Sequence, residues 1–284
     1  MTDTVAPPSG VGGCREVGPG ESSAVLRVLA ADPFVTVPAA EKVLRSGITA
    51  GSDGRFLTRG GPDRSLVYVE SSVLPIRGDA ADLDALGRAV ADLGVGPMST
   101  HGRREMVAGL GPALAEGWGP IRDYRSTQFL MALHTRVDPA LVLDGVRPAT
   151  LQEFDPVLVA AAEMYREELR ADPFVVGSGV PFRRRVARSV ARGRTFVGTR
   201  SGEVYFKADV AAISERIAQI QGVWVHPRLR GTGLGAGGTA AVCAALQDQG
   251  LTPSLVVNGS NLPARAAYRR VGMVDVVEYA TILM

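Results

Sequence analysis

The pentapeptide Ala-Asp-Pro-Phe-Val occurs twice, at Ala31–Val35 and Ala171–Val175, 140 residues apart. Each copy comes after a segment with helical apolar spacing, Glu21–Ala31 and Glu153–Arg170. Five identical residues at equivalent places point to a diverged duplication rather than to two unrelated layouts. Further matches extend it. Ser72-Val73-Leu74-Pro75 lies on Trp224-Val225-His226-Pro227, and Arg77-Gly78 on Arg230-Gly231. Gly94 falls near Gly250, while Gly117, Asp123 and Tyr124 fall on Gly272, Glu278 and Tyr279. A chain of 284 residues that repeats in this way reads as two halves of one plan. We expect a disordered tail over 1–12, a first domain over 13–135, a linker over 136–145 and a second domain over 146–284.

Both halves read as α/β (α+β). In the first, Cys14–Val17, Leu66–Leu74 and Gln128–Leu133 read as strands, and Glu21–Ala31, Ala80–Leu93 and Met106–Glu116 as helices. In the second, Val146–Pro148 is a short strand. Thr195–Val197, Val204–Val210 and Ile217–Val225 make an antiparallel meander, continued by a helix over Ala236–Gln249 and a strand over Ser254–Val257. A helix over Ala264–Val271 and a strand over Val276–Leu283 close it. The fold expected of each half is a mixed, mainly antiparallel sheet flanked by helices.

Composition removes several functions. Lys+Arg 31 against Asp+Glu 29 leaves a net charge of +2, too balanced to announce a nucleic-acid or membrane partner. Two cysteines exclude a disulfide scaffold, and three scattered histidines offer no compact metal motif, so no metal is expected. No apolar run reaches the roughly 18–20 residues of a membrane span. The first residues lack the basic start and apolar core of a signal peptide, so a cytoplasmic location is expected. Of the 31 basic residues only Lys42 and Lys207 are lysine, a bias that fits high-GC codon usage.

The segment that carries chemistry is Val223-Trp-Val-His-Pro-Arg-Leu-Arg230-Gly231-Thr232-Gly233-Leu234-Gly235. A strand runs into a glycine-rich turn, and the turn opens a helix. Free N–H groups of a first helical turn face an anion, helped by the positive end of the helix dipole. The glycines let a ligand's pyrophosphate approach the backbone. Taken alone, the turn serves equally as a tight strand–helix connection. It lacks the Gly-Lys-Ser/Thr of a Walker loop. It also lacks the βαβ context and distant acidic residue of a dinucleotide fingerprint, since the next strand ends in Asn258.

Downstream of that strand lies Asn261-Leu-Pro-Ala264-Arg265-Ala-Ala-Tyr268-Arg-Arg-Val271-Gly272-Met273. Together with Arg230-x-x-Gly233-x-Gly235, it resembles the GNAT superfamily of acyl-CoA-dependent N-acyltransferases over about residues 145–284. The whole chain resembles two-domain GNAT proteins of high-GC bacteria with an uncharacterised N-terminal half. Phe206-Lys207-Ala208 and Gln219–Pro227 have close counterparts there.

The resemblance implies tandem GNAT-like folds, the second intact and catalytic. It implies an acyl transfer, with acetyl-CoA as co-substrate and a primary amine as acceptor. The amine would be a small molecule, a peptide or a protein. It further implies that backbone groups of Val223 and Val225 pair with the pantetheine arm. Amides of Arg230, Gly231, Thr232, Gly233, Leu234 and Gly235 would hold the pyrophosphate, and Asn261 would contact the pantetheine. Tyr268 would protonate the departing thiolate. Without the family, Tyr268 reads as a core-facing aromatic.

Two points depart from that pattern. Where many members carry a glutamate on the strand before the loop, this chain has Gln219 and Gln221, which leaves the base unassigned. Glu215 and Asp209 are candidates through water, and both read equally as solvated strand-end charges. The absent carboxylate motivates an alternative, a non-catalytic acyl-CoA sensor or interaction protein. Finally, Asp79 and Asp82 put negative charge where the first half would need to hold a pyrophosphate, so that half is expected not to bind acyl-CoA. It either shapes the acceptor cleft or mediates dimerisation. Tyr165, Glu167 and Glu168 lie where acceptors bind in the family, and a plain charged helix end explains them as well. Arg183, Arg184, Arg185, Arg188, Arg192 and Arg194 read as a solvated helix face, with a place near an acidic acceptor or the CoA phosphates as the alternative; Cys243 reads as core, and Trp224 as packed on a helix.

Overall fold

A computed structural model describes residues 11–49, 54–94 and 99–284. Two compact units emerge from its backbone contacts. One comprises residues up to Leu130 with Asn258–Ser260 and Val276–Met284, the other Met131–Val257 with Asn261–Asp275. The chain runs twice through the same succession: a strand, two helices, three strands, a helix, a strand and a helix, with one more strand to finish.

In the first succession these are β1 (Cys14–Glu16), α1 (Ser22–Ala30), α2 (Val37–Ser46), β2 (Arg55–Arg59), β3 (Leu66–Val69) and β4 (Val73–Arg77). Next come α3 (Ala80–Ala91), β5 (Ser99–Arg103), α4 (Arg104–Trp118) and β6 (Asp123–Ala132). In the second they are β7 (Arg147–Pro148), α5 (Phe154–Leu169), α6 (Val180–Ala191), β8 (Thr195–Arg200), β9 (Glu203–Ile213) and β10 (Ile217–Val225). Then come α7 (Leu234–Gln247), β11 (Thr252–Asn258), α8 (Leu262–Val271) and β12 (Val274–Leu283).

Strands of the first unit run in the order β1-β2-β3-β4-β5-β12-β6. β1 to β4 are antiparallel neighbours, and β5 joins β4 in parallel after the α3 crossover. β12 lies antiparallel to β5, from Tyr279 opposite Arg103 to Leu283 opposite Ser99. The last strand therefore completes the first unit's sheet, not the second's, which differs from domains drawn at 13–135 and 146–284. Strands of the second unit run β11-β10-β9-β8-β7, antiparallel except for the β10–β11 pair that α7 bridges.

Local chemistry explains the boundaries. Asp79 caps α3 by accepting the Asp82 N–H at 2.8 Å. Ahead of α5, Glu153 accepts the Thr150 N–H at 2.9 Å and takes both forks of Arg147 at 2.9 Å. Arg147 thereby holds the Glu153 carboxyl down at about 2. Arg170 and Gly272 end α5 and α8 in the left-handed region. The first unit's core joins Leu83, Leu86 and Val90 of α3 to Leu110 and Leu114 of α4 and to Val67 and Val73. The second gathers Val157 and Leu158 of α5, Val186 and Val190 of α6, Val204 and Trp224.

Four sequence expectations are corrected. Leu66–Leu74 is not one strand but the hairpin β3–β4, because Glu70–Ser72 forms a tight turn closed by the Glu70 N–H to the Ser72 carbonyl at 3.0 Å. α2, β2 and β5 add to the elements expected from sequence; β2 and β5 are strands of only five residues each. The counterpart of Gly272 is Gly119 rather than Gly117, since both close a helix at φ 100° while Gly117 lies inside α4. Of the tail expected over 1–12, residues 1–10 lie outside the described residues, and Val11–Gly13 form a turn leading into β1. Among the described residues, no helix is long and apolar enough to cross a membrane.

Candidate functional site

The second unit's chemistry starts where two strands part. β10 pairs with β11 in parallel from Ile217 opposite Thr252 to Ile220 opposite Leu255. The register goes no further, although β10 continues to Val225 and β11 to Asn258. On its other edge β10 stays with β9, matching Gln221 to Asp209 and then Trp224 to Lys207. Three steps on β10 answer two on β9, so β10 carries a bulge at Gly222–Val223, a device that re-aims side chains. Gly222 makes this possible with φ +58°, and a Cβ there would come within 3.0 Å of the Met164 Sδ. Trp224 packs into the core at 4% exposure, as its alternation predicts.

From Val225 the chain passes through the turn Pro227–Leu229 to Gly231 and Gly233, which caps α7 at φ 90°. The Gly237 N–H reaches the Gly233 carbonyl at 3.0 Å, so Leu234, Gly235 and Ala236 supply the N–H groups that a helix cannot satisfy internally. A Cβ on Gly235 would stand 3.7 Å from Val225 Cγ2, and one on Gly233 would meet nothing within 4 Å. The loop's outer face is thus open to a ligand.

Two residues of this loop are already engaged. The Arg230 N–H donates to the Pro227 carbonyl at 3.3 Å, so the amides available to an anion begin at Gly231. The Arg230 guanidinium holds Glu167 at 2.7 and 2.9 Å and donates from Nε to the Val225 carbonyl at 3.1 Å. Glu167 therefore braces the loop from α5, and one of Val225's backbone groups is occupied. Thr232 Oγ1 donates to the Leu229 carbonyl at 2.7 Å. Asn261 caps α8, its Oδ1 accepting the Ala264 N–H at 3.2 Å, which leaves its amide nitrogen to a ligand.

A cavity of about 410 Å³ opens beside β9 and β10, walled by the end of α5 and by α6. Tyr165, Glu168, Lys207, Asp209, Gln221 and Gly222 line it. Asp209 accepts from Thr195 Oγ1 at 2.7 Å and is ion-paired to Lys207, whose side chain is only 1% exposed. The structure thus separates the two candidate bases. Asp209 faces the cavity, whereas Glu215 is exposed in the β9–β10 turn and does not line it.

Tyr268 lies on the buried face of α8 and is not among the lining residues. Burial, then Glu168 and Cys243, hold its phenol above the ordinary value, so it stays protonated in the neutral range. Cys243 is fully buried, and burial pushes its thiol up to about 12. Lys207, one of two lysines among 31 basic residues, lies in the Phe206-Lys207-Ala208 segment, but no sequence motif assigned it to the cavity that it lines.

The corresponding turn of the first unit is built otherwise. After Arg77-Gly78, the Asp79 carboxylate occupies the helix cap, and Asp82 is 1% exposed between Arg59 and Arg64. Its own carboxylates fill the space an anion would need.

Residues 158–273 match the acetyltransferase (GNAT) family, and residues 54–157 match a domain of unknown function (DUF4081). No curated protein sequence matches the chain. Among solved structures, an acetyltransferase of the GNAT family from Colwellia psychrerythraea is similar with a TM-score of 0.55 at 10% identity, covering 95% of this chain and 99% of its own. A GCN5-related N-acetyltransferase from Sphaerobacter thermophilus gives 0.59 at 18% identity, covering 95% and 94%. A Drosophila protein gives 0.61 at 14%, covering 95% and 98%. These likenesses establish the fold over nearly the whole chain.

Proposed function

We propose that the second unit is a cytoplasmic N-acyltransferase that moves an acetyl group from acetyl-CoA to a primary amine held in the Asp209 cavity. The observation that carries this reading is the parting of β10 from β11 beside the unsatisfied amides of α7. It lies within the residues that match the acetyltransferase family. An open strand edge accepts an extended amide-bearing arm as an added strand. The amides of Gly231, Thr232, Gly233, Leu234 and Gly235 then hold the pyrophosphate, with the helix dipole behind them. Asn261 offers its amide nitrogen to the pantetheine, and the Val223 backbone pairs with it. Val225 takes a smaller part than the resemblance implied, since Arg230 already uses its carbonyl.

In the reaction the amine attacks the thioester carbonyl directly. Asp209 accepts the amine's proton through water, and the tetrahedral centre collapses with loss of the thiolate. Tyr268, kept neutral, protonates the thiolate. General acid–base assistance of this kind is worth about 10²–10⁴ in rate. Tyr165 and Glu168 contact the acceptor, while Glu167 positions the loop through Arg230. Calorimetry with acetyl-CoA, and then thiol release across small amines, peptide N-termini and protein lysines, tests the reading. Absence of acetyl-CoA binding by the full chain would sink it.

The alternative, an acyl-CoA sensor, draws on Gln219 and Gln221 in place of strand carboxylates and on Tyr268 standing outside the cavity wall. Tight binding with no thiol release from any amine class would favour it.

A further inference from the structure

The cavity has a charge pattern that the acyl-transfer reading does not require. Five cationic side chains line it, Arg185, Arg188, Arg192, Arg194 and Lys207, against two carboxylates, Glu168 and Asp209. Lys207 is consumed by Asp209 in the floor. Arg185, Arg188 and Arg192 succeed one another at helical spacing along α6 and its C-cap, so their side chains form a single stripe facing one space. All three are exposed, and among the described residues no carboxylate pairs with any of them. Arg185 is braced by two aromatic faces instead, 5.1 Å from the Phe182 centroid and 5.9 Å from that of Tyr165. Stacking fixes the guanidinium plane and leaves its N–H edge to an anion.

Such a stripe raises the local concentration of anions and repels cations, and in a cleft the effect is focused. Asp209, joined through Thr195 to Ser189 of α6, is the group that would take the proton of an arriving amine.

We infer that the acceptor is an anionic primary amine, its carboxylate or phosphate gripped by Arg185, Arg188 and Arg192 while its amine is directed to Asp209. This inference rests on the acyl-transfer reading and narrows it. The cavity's size suits a small acid or a short peptide end, not a folded partner's lysine. A lysine-rich or polyamine acceptor would meet like charge along the whole of α6.

The test is thiol release by the full chain with acetyl-CoA and matched amines. One pair differs by a carboxylate, phenylalanine against phenethylamine, and another by a phosphate, phosphoethanolamine against ethanolamine. Spermidine serves as the polycation. The expected result is that one or both acid-bearing members exceed the partners that lack the acid group by about tenfold or more in kcat/KM, with spermidine poorest. Which pair separates tells a carboxylate acceptor from a phosphate one.

The double substitution Arg188→Glu with Arg192→Glu should raise KM for the anionic member by about tenfold or more and leave the acetyl-CoA Kd within about twofold. Three results would overturn the inference: neutral and cationic amines equal to the anionic ones, no amine accepted, or a weakened acetyl-CoA Kd in the double variant. The last would assign the stripe to the donor's phosphates. Failure of acetyl-CoA to bind would overturn the acyl-transfer reading as well, so the two failures are told apart by calorimetry.

Discussion

Asp209 on β9 stands directly opposite Gln221 on β10, and the next matched pair on that ladder is Lys207 with Trp224. The bulge between them turns Asp209 and Gln221 toward one cavity while Trp224 goes into the core. A carboxylate on the neighbouring strand thus sits where β10 itself offers only amides.

That pairing yields the first prediction. Asp209→Asn keeps the shape and the contact with Thr195 but cannot take a proton, and it leaves Lys207 without its counter-charge, so the variant's fold is checked alongside its kinetics. We expect kcat to fall by about 10²–10⁴ with acetyl-CoA binding unchanged, measured by thiol release and calorimetry. Retention of full kcat would reduce Asp209 to a partner for Lys207.

The same ion pair predicts an asymmetry in stability. Lys207 is 1% exposed and Asp209 17%. Removing the carboxylate with Asp209→Ala strands a buried ammonium and should cost about 3–5 kcal/mol. Lys207→Met replaces the cation with an apolar chain of similar length and leaves Asp209 its Thr195 hydrogen bond, so it should cost less than about 2 kcal/mol. Urea unfolding of both variants checks the order, and equal losses would contradict it.

How much of this is legible in the sequence varies with the range of the interactions involved. The meander β8–β10, the turn Arg230–Gly235 and the segment Asn261–Gly272 announce themselves through local patterning, turn glycines and a helix cap. The divergence of β10 from β11 does not, because strand pairing depends on residues far apart in the chain. For the same reason, the place of β12 in the first unit's sheet is invisible to local pattern. Asp209 and Glu215 look alike as strand-end carboxylates in sequence. Only the register opposite Gln221 puts one of them on the cavity. The arginines of α6 read as a solvated face, and they are exposed, but the face borders the cavity wall.

Glycines of α7 should divide into structural and functional ones. A Cβ on Gly238 would fall 2.4 Å from the ring of Phe206, which is fully buried and cannot retreat. Gly238→Ala should therefore cost about 1–3 kcal/mol by overpacking. Gly235→Ala meets only Val225 Cγ2 at 3.7 Å and should leave thermal stability within about 1 kcal/mol. Its methyl group would instead obstruct approach to the loop, so acetyl-CoA affinity should fall. Thermal melts and calorimetry on the two variants separate the effects, and a Gly235→Ala protein with undiminished affinity would argue against this loop as the pyrophosphate site.

Tyr268→Phe removes one oxygen from a side chain 8% exposed, so the fold should persist. We expect kcat to fall and acetyl-CoA Kd to hold. Because burial keeps the phenol above its ordinary value of about 10, the wild-type rate should show no alkaline limb from this group below pH about 10. Full turnover by the variant would remove the acid role and leave Tyr268 as core.

Stability in acid should be governed in part by the first unit. His101 bridges Ser72 Oγ, 2.9 Å from Nε2, and Tyr279 OH, 2.6 Å from Nδ1, tying the β3–β4 turn to β12. Desolvation of the ring pushes its pKa down from 6.5 to about 4. The unfolded chain therefore binds a proton between those values that the folded chain refuses. The stabilisation is complete above pH about 6.5, falls as the pH drops toward 4, and amounts to at most about 3 kcal/mol. His101→Asn should lower stability at pH 7 and flatten its slope between pH 4 and 6.5. Denaturant titrations at several pH values decide this. Parallel slopes for the two proteins would mean that His101 is protonated in the fold, and that the bridge from Ser72 to Tyr279 persists with a charged ring.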